Sequence, residues 1–324
     1  MAPKFSVIIP VYDRPDEVRE LLESLVVQTR KDFEVIIVED GSTARCEEVA
    51  AEFRDHFPLR YYYKANSGPG PSRNFGYAHA HGQYFVVFDS DCILPPHYFA
   101  AVEQALITEE LDAWGGPDRG HPDFSVAQRA MAYTMSSILT TGGIRGGKKR
   151  VGWFQPRSFN MGISRKVYEV TQGFVFDRLA EDIEFSIRIK KAGFKTGLIS
   201  DAFVYHKRRT RFSQFFRQVW SFGKGRALVG AVHAEEVKLA HWFPSVFTLG
   251  TLALPLLYFG GGWLFPLGVG VLSVYLLAIL LHAAYVTRHA GVALLSVVAA
   301  LLQLWGYGLG FLTEKIRQKR ATTR

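Results

Sequence analysis

Cysteine is scarce in this chain of 324 residues, which contains only Cys46 and Cys92. Two cysteines are too few for a disulfide framework, and these two lack the spacing of metal ligands. The sequence therefore suits a reducing compartment, and we expect both side chains to be packing residues.

A secretory signal is also missing from the start of the chain. The first residues lack the succession of basic, apolar and small residues that defines such a signal, and the apolar run Phe5–Val11 is too short to supply its core. We therefore expect the front domain to stay in the cytoplasm.

Charge is nearly absent from residues 244–312, which contain no Asp, Glu or Lys and a single arginine, Arg288. A soluble core is not depleted of charge over such a length. The region contains three apolar segments, Pro244–Phe259, Trp263–Val286 and Val292–Leu312. The second and third reach the roughly 20 residues that span a bilayer as a helix, whereas the first is short and contains Pro255. The sequence predicts two or three membrane helices over residues 243–313 and a basic tail over 314–324.

The basic tail constrains how many of the three apolar segments cross the membrane. Three spans would leave the tail on the side opposite a cytoplasmic front domain, against the positive-inside tendency. Two spans with a re-entrant or interfacial first segment would keep it inside. Both arrangements remain open.

The net charge of +8 could indicate a nucleic-acid partner, but several basic clusters lie beside the apolar region. Anionic lipid or phosphate is then the better partner, and we expect no nucleic acid. The pattern of residues 211–242 predicts amphipathic interfacial helices. Their aromatic side chains would lie among lipid headgroups, and their basic side chains would face phosphate. The bases are Arg217, Lys224 and Arg226, and the aromatic residues are Phe215, Phe216, Trp220 and Phe222.

The front of the chain alternates strands with helices. Continuous apolar runs predict strands, and apolar residues at helical spacing follow each of the first three. The predicted strands are Phe5–Val11, Phe33–Val38, Leu59–Tyr63 and Tyr84–Asp89. Unbroken apolar strands separated by helices indicate an α/β fold with a mostly parallel sheet covered by helices on both faces. Ligands of such sheets bind at the carboxyl ends of the strands.

Those strand ends contain acidic residues. Asp13 follows the first strand, Glu39 and Asp40 the second, and Asp89 and Asp91 the fourth. Such turns are common individually, but together they predict an acidic rim around one crevice. Because Asp89 and Asp91 occupy alternate positions after a buried strand, we expect both to project to the same side. Two hard oxygen ligands beside a phosphate suit Mg²⁺ or Mn²⁺.

Six motifs follow one another between about Phe5 and Arg226. They are FSVIIPVYD at Phe5–Asp13, VEDGS at Val38–Ser42, NSGPGPSRNFG at Asn66–Gly76, DSD at Asp89–Asp91, NMGISR at Asn160–Arg165 and EDIEFSIRIKKAGF at Glu181–Phe194. In this order the chain resembles the family 2 inverting glycosyltransferases, of the bacterial membrane-associated type. The resemblance implies a GT-A, Rossmann-like catalytic domain over residues 1–210, followed by the α-helical transmembrane region.

The resemblance also implies the activity. A sugar would pass with inversion from a nucleotide-sugar donor, with a UDP-sugar as the expected donor, to a lipid-linked or saccharide acceptor near the membrane. The setting would be polysaccharide or glycoconjugate synthesis at the inner membrane of a bacterium, with membrane lipids as further partners and Mg²⁺ or Mn²⁺ as cofactor.

Particular residues receive roles from the same resemblance. Asp182 would be the general base, Asp91 would bind the metal, and Asp89 would contact the ribose or a metal-bound water. Asp40 would accept the uracil N3 hydrogen, and His206 would complete the metal site as in some relatives. The remaining residues assigned to the nucleotide site are Pro10, Val11, Tyr12, Asp13, Asn66, Gly68, Arg73 and Ser90.

The chemistry of inverting transfer supports the roles of Asp182 as general base and of Asp91 as metal ligand. It needs a base on the side of the anomeric carbon opposite the leaving diphosphate, and a metal ion that neutralises the departing charge. Asp182 also has a purely structural reading, as a first-turn carboxylate that interacts with the helix dipole. His206 likewise has a structural alternative.

Other functions remain as alternatives. A polyprenyl-phosphate sugar synthase would share the fold and the membrane setting. A processive polysaccharide synthase is disfavoured because Gln218–Phe222 reads QVWSF and departs from the QxxRW signature. A sugar nucleotidyltransferase would need a glycine-rich loop after the first strand, which Val11–Arg14 is not, and the intact acidic set argues against an inactive scaffold. Gly142–Arg150 is either a flap over substrate or a basic connector.

Overall fold

The computed structural model describes residues 3–119, 124–142, 154–206, 210–260 and 262–322, and most of the loop Gly142–Arg150 lies outside them. The chain divides into two compact units, residues 1–121 with 153–207 and residues 122–152 with 208–324. The chain therefore leaves the first unit after residue 121, contributes residues 122–152 to the second unit and returns to the first at residue 153.

The strands all belong to the first unit, and the helices divide between the two. The strands are β1 (Phe5–Val11), β2 (Phe33–Asp40), β3 (Leu59–Lys64), β4 (Tyr84–Phe88), β5 (Cys92–Ile93), β6 (Ala113–Gly115), β7 (Asp118–Arg119), β8 (Asn160–Ser164), β9 (Thr196–Leu198) and β10 (Val204–His206). The helices are α1 (Pro15–Val26), α2 (Glu47–Glu52), α3 (Pro69–Ala78), α4 (Tyr98–Glu109), α5 (Val126–Ser136), α6 (Ile138–Thr141), α7 (Arg165–Thr171), α8 (Glu181–Lys191), α9 (Phe212–Val232), α10 (Phe243–Phe259), α11 (Leu264–Thr287) and α12 (Ala290–Thr322).

A mixed sheet of seven strands forms the centre of the first unit, in the order β3-β2-β1-β4-β8-β6-β9. β3, β2, β1 and β4 run parallel, and β8 is antiparallel to both of its neighbours. The predicted α/β fold with a mostly parallel sheet is confirmed.

Helices cover both faces of this sheet, because successive side chains of a strand point to opposite sides. In β1, Val7 and Ile9 belong to the core under α1, α2 and α4, whereas Ile8 belongs to the core under α3, α7 and α8. Cys46 and Cys92 are unpaired and buried in the first of these cores, as predicted for packing residues.

One strand prediction needs correction. β4 ends at Phe88, and Asp89–Asp91 forms a turn, so the alternation argument for Asp89 and Asp91 does not apply. The segment after α8 forms two separate strands. β9 joins the main sheet, and β10 pairs with β5 and β7 in a sheet of three strands.

Three helices of the second unit are long and apolar enough to cross a membrane, judged by length and composition. They cover Leu239–Phe259, Leu264–Thr287 and Ala290–Ala321 and match the three predicted segments. Helix α12 continues to Thr322, so the described part of the basic tail is helical.

Helices α9 and α12 approach each other backbone to backbone within this unit. A Cβ atom on Gly310 would lie 2.1 Å from the carbonyl oxygen of Trp220, and one on Gly223 would lie 2.1 Å from that of Tyr307. Only glycine permits such proximity. One consequence corrects the interfacial prediction: Phe215 and Arg226 are buried, so neither is free to face lipid headgroups as expected.

Candidate active site

The candidate site lies where the strand order reverses. The chain proceeds from β1 outwards to β2 and β3 and then returns to β4 on the other side of β1. In open α/β sheets, ligands bind beside the carboxyl ends of the strands at such a switch point. The residues that follow β1 and β4 therefore face one another across the expected crevice.

An ion pair joins these two turns. Arg14 Nη1 donates a hydrogen bond of 2.7 Å to Asp91 Oδ2, and the Asp91 side chain is 11% exposed. No sequence motif predicted a role for Arg14, whose position beside Asp13 was its one signal. Asp91, the predicted metal ligand, thus already has a cationic neighbour.

Asp13 organises the turn after β2. Its backbone N–H donates to Ser42 Oγ at 2.8 Å, and its carboxylate accepts from the backbone N–H groups of Thr43 and Ala44 at 2.7 and 2.9 Å. Asp13 has a φ of +52°, a left-handed conformation in which few residues other than glycine, asparagine and aspartate are common. This Asp13 turn joins the ends of β1 and β2.

The neighbours of Asp13 differ in how far they reach solvent. The Tyr12 side chain is 55% exposed and free to stack on a ring, whereas Val11 is buried in the core. Pro10 is only partly exposed within β1. Of these three residues assigned to the nucleotide site, Tyr12 alone offers a large open side-chain surface.

Asp40 holds the loop that follows β3. Its carboxylate accepts from the backbone N–H groups of Ser67 and Gly68 at 2.9 and 2.8 Å and forms an ion pair with Lys64. Burial alone would raise the pKa of Asp40, but these donors outweigh burial and lower it. The protein thus supplies three donors to Asp40, and its contact with uracil stays a prediction.

Asn66 and Gly68 fit this loop to the segment before α8. Asn66 Nδ2 donates to the Asp40 carbonyl oxygen at 2.7 Å, and its Oδ1 accepts from Arg178. Gly68 has a φ of +104°, and a Cβ there would lie 2.8 Å from the carbonyl oxygen of Asp177. Any larger residue at position 68 would be strained.

Replacing Asp40 with asparagine should loosen this loop. Hydrogen exchange at the amides of Ser67 and Gly68 should accelerate about tenfold or more, because a hydrogen bond to a charged group contributes about 1.5–3 kcal/mol. Because the pKa of Asp40 is lowered in the folded protein, its stabilising effect on the loop is complete above the ordinary carboxyl pKa of about 4. This effect declines as the pH falls further. The difference between the variant and the parent protein should therefore persist at pH 5. Asp55→Asn, at an exposed acid, serves as control; equal exchange in all three proteins would contradict the role of Asp40.

Arg73 occupies the centre of the site. Its side chain is 3% exposed and donates to Asp89 Oδ1 and to Glu181 Oε1, both at 2.8 Å. Burial raises the pKa of Glu181, with the adjacent Asp182 adding to the rise and Arg73 opposing it. Ser90, in the same turn as Asp89, is also buried. Arg73 thus contacts two carboxylates of the protein, at the place where a nucleotide contact was expected.

Asp182 lies in the first turn of α8, directly after Glu181. Its Oδ1 accepts from the Ile183 N–H at 2.8 Å, and its Oδ2 lies 3.4 Å from Arg157 Nη1. The side chain is 17% exposed, so it is accessible at one edge. The bond to Ile183 satisfies one N–H of the first helical turn, as a structural carboxylate there would, whereas Arg157 is a second cation that the sequence did not indicate.

The carboxylates after β4 fit the chemistry of a magnesium or manganese ion. Such ions use one or two carboxylates together with substrate phosphates, and Asp89 and Asp91 offer hard oxygens at the switch point. No cluster of three or more histidine, cysteine or acidic side chains suited to a metal occurs in the described residues. His206 pairs with Cys92 in the small sheet, which places its backbone near Asp91, but its side chain lies outside the description.

A mostly parallel sheet with carboxylates and arginines at its switch point defines an α/β protein of the nucleotide-binding class. The chain belongs to glycosyl transferase family 2, whose family model matches residues 6–171. The predicted family is confirmed.

Curated relatives share the front of the chain. An uncharacterised glycosyltransferase of Rickettsia felis is 43% identical over 88 residues, which are 27% of this chain and 15% of the relative. YibD of Escherichia coli, another uncharacterised glycosyltransferase, is 36% identical over 110 residues, 34% of this chain and 32% of YibD. Glycosyltransferase GlyA of Streptococcus pneumoniae is 33% identical over 111 residues, 34% of this chain and 16% of GlyA. The chain thus spans a third or less of these relatives.

Solved structures share the fold over nearly the whole chain. The mannosyltransferase PcManGT of Pyrobaculum calidifontis, in complex with GDP-Man and Mn²⁺, has a TM-score of 0.64 at 19% identity, covering 94% of this chain and 88% of PcManGT. S. aureus TarS 1-349 in complex with UDP-GlcNAc has a TM-score of 0.53 at 19% identity, covering 98% of this chain and 92% of that one. These similarities confirm the GT-A-like fold.

Proposed function

We propose that the protein is a membrane-associated, metal-dependent glycosyltransferase that transfers one sugar with inversion from a nucleotide-sugar to an acceptor at the membrane. One observation carries the proposal. Through Arg73, the turn Asp89–Asp91 is joined to the first turn of α8, which contains Asp182. Candidate metal ligands and a candidate base therefore belong to one site.

The chemistry divides between the two sides of this site. Asp91, with Asp89, would hold Mg²⁺ or Mn²⁺, which would neutralise charge on the departing nucleoside diphosphate. Asp182 would accept the proton of the attacking hydroxyl group. Tyr12 would stack on the base of the nucleotide, since its ring is the open surface beside Asp13.

The second unit provides the membrane setting. Three helices that are long and apolar enough to span a bilayer follow the catalytic unit along the chain. A tethered enzyme meets membrane-bound acceptors at high effective concentration, which favours a lipid-linked or membrane-proximal acceptor. We place the catalytic unit on the cytoplasmic side of a bacterial inner membrane, where nucleotide-sugars are made. Exposed bases such as Arg217 and Lys319 would face anionic lipid.

The first test is turnover by the full-length protein in nanodiscs. The relatives of known structure bind GDP-Man and UDP-GlcNAc, so these are the first donors to supply, each with Mn²⁺, with Mg²⁺ or with a chelator. We expect release of UDP or GDP from at least one donor, dependent on the metal and accelerated by a polyprenyl phosphate or a lipid-linked saccharide. Failure to bind or cleave any member of a wider nucleotide-sugar panel would overturn the proposed function.

A further inference from the structure

We infer that Arg73 is a positioning residue, which fixes the metal-side turn relative to the base-bearing helix and does not itself bind the donor. The inference deepens the proposed function and rests on it for its kinetic consequences. The structural part of the inference, that Arg73 connects the two segments, does not depend on the proposed function.

The geometry excludes a simple donor contact. Both terminal nitrogens of Arg73 donate to protein carboxylates at 2.8 Å, Nη2 to Asp89 and Nη1 to Glu181. The Phe174 ring lies 5.3 Å from the guanidinium carbon. With 3% of its side chain exposed, Arg73 has almost no surface left for a diphosphate.

The two carboxylates belong to two different segments of the first unit. Asp89 directly follows β4 and Glu181 begins α8, and they are far apart in sequence. A rigid, planar guanidinium can hold one carboxylate at each terminal nitrogen, which an ammonium group cannot do with the same geometry. Arg73 therefore determines the spacing between the Asp89–Asp91 turn and Asp182.

Stability alone is a poor explanation for this cluster. The ion pair of Arg73 with Glu181 is largely buried, whereas Asp89 is 34% exposed, and well-packed apolar residues often replace buried ion pairs without loss of stability. Arg73 Nε is also buried without a hydrogen-bond partner. A guanidinium that holds two carboxylates in a defined geometry, with one buried N–H left unsatisfied, is what a positioning role requires.

Asn74, the residue after Arg73, binds the segment that precedes α8. Asn74 Nδ2 donates to the Phe174 carbonyl oxygen at 2.7 Å, and Asn74 Oδ1 accepts from the Phe174 N–H at 2.8 Å. A Cβ on Gly173 would lie 2.2 Å from Asn74 Oδ1, so glycine is needed there. Helix α3 thus holds the approach to α8 at two consecutive positions, and Arg73 extends the connection to the turn after β4.

The test compares Arg73→Met, Arg73→Lys, Glu181→Gln and the double variant Arg73→Met with Glu181→Gln. Arg165→Met is the matched control, because Arg165 donates to the carbonyl oxygens of Ala80 and Gly82 at the opposite end of β4. Hydrogen exchange in the full-length protein measures protection of the turn Asp89–Asp91 and of the first turn of α8. Kinetics use UDP-GlcNAc or GDP-mannose, whichever donor the parent protein cleaves, and calorimetry measures binding of UDP or GDP.

We expect Arg73→Met to loosen both segments together and to lower kcat about 100-fold, the effect of a misplacement near 1 Å. KM for the donor and affinity for the nucleotide should stay within about threefold of the parent values. Arg73→Lys should recover part of kcat, and the Glu181→Gln change should add little in the Arg73→Met background, because both act through one contact. Arg165→Met should leave kcat unchanged.

Three results would overturn the inference. The first is unchanged protection of both segments in Arg73→Met, which needs no activity to observe. The second is a loss of nucleotide affinity with kcat retained, which would make Arg73 a donor contact. The third is additive effects of the two substitutions. If Arg73→Met does not fold, Arg73→Lys and Glu181→Gln provide the same comparisons. A parent protein that cleaves no donor, yet shows the coupled loss of protection, would refute the proposed function and retain the structural coupling.

Discussion

Replacing Asp182 with asparagine should lower sugar transfer by roughly 10² to 10⁴-fold, the usual contribution of a positioned general base. Asparagine keeps the size of the side chain and can still accept from the Ile183 N–H, but it cannot take a proton from the acceptor hydroxyl. Nucleotide affinity should change little, because Asp182 lies at the start of α8, where it contacts Ile183 and Arg157.

Rates of transfer and calorimetry with UDP or GDP separate the two effects. Asp32→Asn is a suitable control, since Asp32 is an exposed acid before β2, at the other end of the strands. A parallel loss of nucleotide binding and transfer in Asp182→Asn would indicate a structural role at the start of the helix. Transfer at the parent rate would exclude Asp182 as the base.

Replacing Asp91 with asparagine should reduce turnover to the limit of detection and remove the effect of Mg²⁺ or Mn²⁺ on donor binding. A carboxylate supplies the charge that a hard divalent cation needs, and the amide does not replace it. The substitution also releases Arg14 from its ion pair, which leaves a guanidinium able to attract phosphate. Residual nucleotide binding that no longer responds to metal is therefore the expected pattern.

Calorimetric titrations of UDP or GDP, with and without Mn²⁺, measure this directly. Arg14→Met provides the complementary variant: it should retain the metal requirement, because Asp91 remains. Metal-stimulated binding that is undiminished in Asp91→Asn would refute Asp91 as the metal ligand.

The sequence was sufficient for the sheet and for the edge of it at which the acidic strand ends meet. Uninterrupted apolar runs such as those of β1 and β2 form buried parallel strands, and their carboxyl ends bring Asp13, Asp40 and Asp89 to the same edge of the sheet. The three apolar helices were equally evident, because exclusion of charge over residues 244–312 has few other physical explanations.

The partners of the acidic residues could not be predicted in the same way. Arg14 and Asp91 are 77 positions apart, and Arg73 and Glu181 are 108 apart. An arginine side chain is long and reaches many positions, so its partner depends on the assembled fold rather than on local pattern. The burial of Arg226 was missed for a related reason: helical periodicity identifies an amphipathic helix, but not the glycine contacts through which α9 packs on α12.

The most direct measurement is the location of Mn²⁺ by its anomalous scattering in crystals of the protein with UDP. A single peak within about 2.5 Å of an Asp91 carboxylate oxygen, with the diphosphate beside it, is the result we predict. The Asp182 carboxylate should then face the open side of the site, across from the diphosphate, with Arg73 still bound to Asp89 and Glu181. A nucleotide bound away from the ends of β1 and β4, or a metal held without Asp91, would contradict the proposed site.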